Sequence, residues 1–341
     1  MRRDGHDPAA IADAAATLAA GGLVAFATET VYGLGARADD DAAVARIFDL
    51  KGRPSGHPLI VHVAERGDAE VFAASLSPLA ERLIDAFWPG PMTVIVRRRE
   101  GVAGAAAAGQ ATIGLRCPAH PVAHALLLAA RAAGVPGVAA PSANRFGRIS
   151  PTTAADVAEE LGTELLVLDG GPARIGIESA IVDCSGARPV LLRPGTLTRE
   201  RIETAAGSPL APPDAASPRA PGTLESHYAP SATLRLMPTP MLHAALRVLG
   251  SEPLKLAVYS RSVPSGMATG LKHRRMPARP EQAAHELFFV LRELDRDGVH
   301  LIWVEEPPPG PEWDGVRDRL RRAAAPDFPI LERKPDEIER E

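Results

Sequence analysis

Short apolar runs that each stop at a polar tip constrain this chain more than any other feature. Leu23-Val24-Ala25-Phe26-Ala27 runs into Thr28-Glu29-Thr30, and Thr112 to Leu115 ends at Arg116; Leu59 to Val63 is also strand-like, and on pattern alone the His62 within it reads as a core histidine. Val135 to Ala140 leads into Pro141-Ser142-Ala143-Asn144, and Val190 to Leu192 stops at Arg193. Such runs read as buried strands. Between them lie stretches of helical period, among them Asp41 to Leu50 with Val44, Ile47 and Phe48, Pro78 to Phe87, and Pro121 to Ala133. Strands alternating with helices predict an α/β fold, and polar tips converging from several strands are how such a fold makes a small-molecule site.

The richest tip is Thr28-Glu29-Thr30-Val31-Tyr32-Gly33-Leu34-Gly35, followed by Lys51-Gly52-Arg53-Pro54. Side-chain oxygens, a phenol and two glycines that let a ligand approach the backbone fit the end of a strand lining a pocket. Gly33-Leu34-Gly35-Ala36-Arg37-Ala38 imitates a dinucleotide fingerprint. That fingerprint needs its first glycine directly after the strand, whereas Thr28 to Tyr32 intervene, so the reading is rejected. A surface hairpin whose glycines serve only turn geometry stays open for this stretch.

With 341 residues two domains are expected, and a 45% hydrophobic share with only 4% aromatics makes the cores aliphatic. A net charge of -4 argues against a protein that lives on nucleic acid. Cys117 and Cys184 cannot build a disulfide framework and fit a reducing compartment. Asp4, Asp7 and Asp13 break up the stretch after Met1-Arg2-Arg3, so no signal peptide is read there, and Asp7-Pro8 opens a helix as N-cap and N1. No run reaches membrane-spanning length, and a cytoplasmic protein is expected.

Composition divides the chain into three. Residues 1–204 carry the polar-tipped strands, and 205–232 form a linker, rich in Ala, Pro, Ser and Gly up to Gly222 and ending in Ser226-His227-Tyr228-Ala229-Pro230. Residues 233–341 form a second, smaller α/β unit with strands at Thr233 to Leu236, Lys255 to Tyr259 and His300 to Val304. Its helices are read at Met241 to Leu249, Pro280 to Asp297 and Pro311 to Ala323.

Several chemistries are excluded. There is no G-x-x-x-x-G-K-[ST] phosphate loop and no G-x-S-x-G nucleophile elbow. Cys117, His120 and His124 have zinc-like spacing, but a fourth ligand is lacking and Pro118 and Pro121 explain the spacing as a turn and helix start, so no protein metal site is expected. What remains is a hydroxyl-rich set with Lys51, Arg53, Arg116 and Arg193, which suits a ligand bearing phosphates and a carboxylate. Without a triad or dyad, positioning and charge neutralisation would drive a nucleotidyl or phosphoryl transfer, with magnesium on the phosphates.

The motifs TETVYGLG, KGRP with PLIVH, WPGPMT, GLRCPAHP, APSAN, SPT, LDGG with GIES, LLRPG, and PG followed by SHYAP resemble the threonylcarbamoyl-AMP synthases. The match is to their long form, with a YrdC-like twisted α/β catalytic domain around a concave cavity and a smaller Rossmann-like parallel α/β C-terminal domain. The resemblance implies that L-threonine, bicarbonate and ATP give threonylcarbamoyl-AMP and pyrophosphate with Mg2+, for the threonylcarbamoyladenosine modification of tRNA. It implies threonine contacts from Thr30, His62, Arg116, the backbone at Ala140, and Ser179. ATP contacts fall to Arg53, His57, Thr112, Ser142, Asn144, Ser150, Arg193 and Tyr228, with Lys51 and Arg53 as the catalytic cations. Tyr228 lies past the linker, so HYAP is expected to fold back as a lid.

Three positions depart from the family pattern: His57 replaces the usual asparagine, Ala180 the common threonine after Glu178-Ser179, and Thr223 the methionine after Pro221-Gly222. The resemblance also implies hand-over of the product to the tRNA threonylcarbamoyl transfer machinery, while the lack of a membrane-length run and the acidic charge speak against a membrane and against a standing complex with tRNA. The competing class is a double-stranded RNA or tRNA binding module without turnover, against which the acidic charge and scarce aromatics speak. A carbamoyl-transfer enzyme would share the pocket, but the zinc fingers expected of it cannot be built from two cysteines.

Overall fold

The computed structural model describes residues 1–249, 255–264 and 271–324. In chain order the first part forms β1 (Arg2–Asp4), α1 (Pro8–Ala19), β2 (Val24–Phe26), β3 (Gly33–Arg37), α2 (Asp41–Lys51), β4 (Ile60–His62), α3 (Ala69–Phe72), α4 (Pro78–Phe87), β5 (Met92–Arg97) and β6 (Thr112–Arg116). It continues with α5 (Pro121–Ala132), β7 (Val138–Ala139), α6 (Ala154–Leu161), β8 (Leu166–Asp169), β9 (Ala180–Asp183), β10 (Val190–Arg193) and α7 (Arg199–Ala206). The second part holds β11 (Thr233–Met237), α8 (Thr239–Leu249), β12 (Leu256–Ser260), β13 (Lys272–Arg275), α9 (Pro280–Arg296), β14 (Leu301–Glu305) and α10 (Asp314–Ala324). No described helix is long and apolar enough to cross a membrane.

Local chemistry sets the helix ends. Asp7 caps α1 by accepting the Ala9 N–H, with Pro8 at N1. Asp40 caps α2, and Gly52 in the left-handed conformation stops it. Thr153 and Asp156 form a reciprocal capping box on α6.

Strands β1 to β10 form one mixed sheet in the order β1-β8-β2-β3-β7-β4-β6-β5-β9-β10. Successive strand residues face opposite sides, and each side has its own cover. Val61, Val94, Leu115 and Val182 face α2, α4 and α7 in one core. On the other side α1 and α5 cover Val24, Phe26, Val138 and Leu168. The remaining half of that side presents Ile60, Ile95, Ile181 and Leu192, and no described helix covers it: Ala220 of the linker packs there instead.

Four strands make a second, all-parallel sheet in the order β11-β14-β12-β13. Helix α8 packs on the face of Leu256, Val258 and Trp303, while α9 and α10 pack on the face of Ala257, Tyr259 and Ile302. The helices that follow neighbours β11 and β14 therefore leave to opposite faces, which puts a switch point between those strands. Glu305 fills it: its carboxylate accepts Thr239 Oγ1 (2.6 Å), the Arg261 N–H (2.7 Å) and the Ser262 N–H (2.9 Å).

Several elements differ from the sequence reading. The stretch after Phe26 is a hairpin, with β2 and β3 antiparallel, yet Thr28, Glu29, Thr30 and Tyr32 are buried rather than on the surface. Gly35 serves packing, not ligand approach, since a Cβ there would lie 2.7 Å from Val138 Cγ1. Helix α7 runs past residue 204 to Ala206 and packs in the first core. Two short strands carry no apolar signal: β1, an edge strand parallel to β8, and β13, the edge of the second sheet, all of whose side chains are basic.

Candidate active site

The cavity opens on the helix-free half of the large sheet, where the β2–β3 connection meets the ends of β4 and β6. His62 and Arg116 are side by side in parallel register, so both side chains leave the same face. The lining contains Thr28, Thr30, Val31, Arg53, Ile60, His62, Arg116, Ala140, Ser142, Glu178, Arg193, His227 and Tyr228, together with the Pro221-Gly222 turn.

Arg116 is buried and fixed on three sides. It donates to Glu29 Oε1 (2.7 Å), Thr30 Oγ1 (2.9 Å) and the Gly90 carbonyl (3.2 Å). Arg193 donates to the Ser179 carbonyl (3.0 Å), to Ser179 Oγ (3.2 Å) and to the Pro221 carbonyl (3.0 Å), and Ser179 Oγ also bonds Thr93 Oγ1 (2.8 Å). Arg53 donates to the Pro58 carbonyl (3.0 Å) and lies 5.6 Å from the Phe146 ring centre. Burial lowers its guanidinium to about 10, so it stays charged at neutral pH. Burial also pulls His62 down to about 3, with Arg116 adding to the effect, and that ring is neutral.

The linker closes the cavity. Arg219 N–H donates to Gln110 Oε1 (2.9 Å), and the Ala229 N–H donates to the Gly147 carbonyl (2.9 Å). Gly222 has a φ of +71°, and a Cβ there would lie 2.2 Å from Tyr228 Oη and 2.9 Å from an Arg193 terminal nitrogen. Only glycine lets this turn close on both groups. Tyr228 itself has a φ of +63°, a strained conformation for a tyrosine. Burial raises its phenol to about 12 and lowers His227 to about 3. So closed, the cavity leaves only about 50 Å³ for water, against the ~300–1,000 Å³ of ordinary ligand pockets.

Of the residues expected from the sequence, Thr30, Arg53, His62, Arg116, Ala140, Ser142, Arg193 and Tyr228 meet at this cavity. Others stand behind its wall. Lys51 donates to the carbonyls of Ser142 (2.6 Å) and Asn144, and burial, with Arg53 nearby, drives its ammonium pKa well down. Asn144 donates to the Arg148 carbonyl (2.9 Å), Ser150 donates to Glu178 (2.5 Å), and Ser179 reaches the cavity through Arg193. Thr112 shares the face of Arg116 but starts β6, ~13 Å away along the strand. His57 is half-buried, its ring 5.3 Å from that of Phe146. His120 Nδ1 accepts the Val122 N–H and caps α5.

Three residues outside the expected ligand set matter here: Glu29, which the sequence reading placed among the side-chain oxygens of the strand tip, and Glu178 and Arg319, which it did not single out. Glu29 anchors Arg116. Glu178 lines the cavity; burial pushes its carboxyl up, but Arg319, Arg193 and Ser150 more than offset this and hold it at about 2. Arg319, from α10, is fully buried against Glu178.

The comparisons with known proteins agree over nearly the whole chain. The family described as Telomere recombination matches residues 16–195, and the threonylcarbamoyl-AMP synthase C-terminal domain matches residues 197–325. A threonylcarbamoyl-AMP synthase of Pyrococcus abyssi is 39% identical over 328 residues, spanning 91% of this chain and 93% of its own length. One from Bacillus subtilis is 38% identical over 338 residues, spanning 94% of each chain. A solved structure of P. abyssi Sua5 complexed with L-threonine covers 95% of this chain and 96% of that one, at 36% identity and a TM-score of 0.85. With both parts matched in order and a deep cationic cavity at their junction, the chain belongs to the threonylcarbamoyl-AMP synthase family, enzymes of the nucleotidyltransferase type.

Proposed function

We propose that the cavity binds L-threonine and ATP side by side and joins them through bicarbonate, giving threonylcarbamoyl-AMP and pyrophosphate for the modification of tRNA. The observation that carries this reading is a convergence of orphaned polar atoms. Arg53 Nε, His62 Nδ1, His227 Nδ1 and Tyr228 Oη are all buried without a protein partner, and all four residues line the same cavity. A buried polar atom left unpaired costs about 1–3 kcal/mol, a cost that a polar ligand removes.

The amine of threonine takes up bicarbonate with loss of water to form a carbamate. A carbamate oxygen then attacks the α-phosphorus of ATP, and pyrophosphate leaves. The amino acid lies at the Arg116 end, where the guanidinium pairs with its carboxylate beside Thr30, neutral His62 and the Ala140 backbone. The nucleotide lies at the Arg53 and Arg193 end, whose fixed charges meet the phosphates as negative charge shifts to the leaving group. Lys51 positions the Ser142 to Asn144 loop, and Ser150 and Ser179 position Glu178 and Arg193. His57 and Thr112 are assigned to the adenosine side, beneath the path of the linker.

Magnesium enters as part of the ATP complex. The described residues contain no cluster of three metal-binding side chains, and the one carboxylate lining the cavity, Glu178, is already committed to Ser150 and Arg319. ATP phosphates would then be its principal ligands.

Labour divides along the chain: residues 1–204 hold the reactants, 205–232 close over them, and 233–341 secure the closing segment. The product passes to the tRNA threonylcarbamoyl transfer machinery, and the site of action is the cytoplasm. The test is pyrophosphate release from ATP. It is expected only with threonine and bicarbonate both present; release without threonine, or none under any condition, rejects the reading.

A further inference from the structure

We propose that the C-terminal unit is one wall of the active site, and that Arg319 is the positioning residue through which it holds Glu178 and Tyr228 at the nucleotide end. The inference rests on the reading of the cavity as the ATP and threonine site. It goes further in giving the second unit a place in that site.

Arg319 heads the fully buried side chains when these are ranked by size, and it belongs to α10; apart from Asp318 beside it on that helix, to whose Oδ2 it donates (2.8 Å), its hydrogen-bond partners lie outside the C-terminal unit. Nε donates to Glu178 Oε2 (2.8 Å), and the two terminal nitrogens donate to the Pro194 carbonyl (2.8 Å) and the Glu178 carbonyl (3.1 Å). Its guanidinium also lies 5.4 Å from the centre of the Tyr228 ring. On its other side that ring stacks on Phe288 of α9, 5.3 Å between centroids and 29° between planes. Tyr228 is therefore clamped between two residues of the C-terminal unit while its backbone sits in a strained, left-handed conformation. A strained residue persists where its surroundings over-determine it, and here those surroundings are α9 and α10.

Charge makes the arrangement functional rather than merely adhesive. Among the described residues, Glu178 is the single carboxylate lining a cavity that also presents Arg53, Arg116 and Arg193. Paired with Arg319 it is neutralised; without Arg319 it would set a buried negative charge against the phosphates of ATP. The two residues beside it in the chain, Ile177 and Ser179, join the shared hydrophobic core and bond Arg193, so the pair also fixes the segment that aims Arg193.

The test uses the full chain and a nucleotide whose α,β-bridge is methylene, so that binding is read without turnover. Arg319→Met is expected to weaken nucleotide binding about tenfold or more and to raise the KM for ATP far more than the KM for threonine. Glu178→Gln added to Arg319→Met removes the unpaired charge and is expected to recover most of the lost affinity. A purely structural arginine predicts no such recovery. Should Arg319→Met not fold, Arg319→Lys keeps the charge without the planar fork and is expected to raise the KM for ATP about threefold or more. Wild-type ATP and threonine affinity in Arg319→Met, or in Arg319→Lys if that variant must be used, overturns the inference. So does a double variant no better than the single one. Failure of the wild type to bind the nucleotide rejects the functional reading itself.

Discussion

Arg116 shows how much a single side chain carries. Its ion pair with Glu29 is buried on both sides, so Arg116→Ala removes the partner proposed for the threonine carboxylate and strands a carboxylate in the interior. The variant is expected to lose threonine-dependent pyrophosphate release and about 3–5 kcal/mol of stability, measured by urea unfolding. Arg116→Ala combined with Glu29→Gln should regain much of that stability and none of the activity.

His62 and His227 give a second residue-scale expectation. Both titrate near 3 in the folded chain against an ordinary value near 6.5, so the unfolded chain binds more protons at intermediate pH. Their contribution is intact above about 6.5 and is lost as pH falls toward 3, roughly 2 kcal/mol each by pH 5. His227→Gln should flatten the fall of the urea midpoint between pH 7 and 5. Arg53, Arg116 and Arg193 could be singled out from sequence because each is a cation at a strand tip or turn. Glu178 and Arg319 could not. One sits in a GIES segment whose serine draws the attention, and the other is one of several arginines on an amphipathic helix, where only packing decides which is buried.

At the scale of elements, the linker is the part whose conformation the site depends on. Gly222→Ala puts a methyl group against Tyr228 Oη and Arg193 in a backbone region that costs an L-residue about 1–2 kcal/mol. Pyrophosphate release should fall roughly tenfold or more. Trypsin should also cut faster at Arg219, which the closed linker pins to Gln110. Helices such as α2, α4 and α5 could be read from period and caps within a residue or two, because each has an apolar stripe and a start signal. Strand β13 was hidden because an edge strand needs no buried face: Lys272 and Arg274 reach Asp297 and Glu293 instead. The hairpin of β2 and β3 was half legible. Its turn residues were evident, but burial of its polar loop depends on Arg116, Pro151, Asp169, Ile175 and Gly176, all distant in the chain.

The whole molecule is held together by a core that ignores the boundary between its units. Val31, Ile149, Ile177 and Tyr228 pack with Leu287, Phe288, Val316 and Leu320, and α10 approaches so closely that a Cβ on Gly315 would lie 2.5 Å from the Gly195 carbonyl. Gly315→Val should part the units at a cost of about 1–3 kcal/mol, seen as a larger radius of gyration in solution scattering and a loss of turnover with helix content retained. Glu305 adds a consequence of its own. In an open parallel sheet, the gap beyond the carboxyl ends of diverging strands is where a nucleotide ordinarily settles, yet here the protein's own carboxylate sits against the amides that would greet a phosphate. A phosphate arriving there would meet a carboxylate already bonded to those amides. Calorimetric titration should count one ATP per chain, and all the ATP the molecule holds will be within reach of threonine.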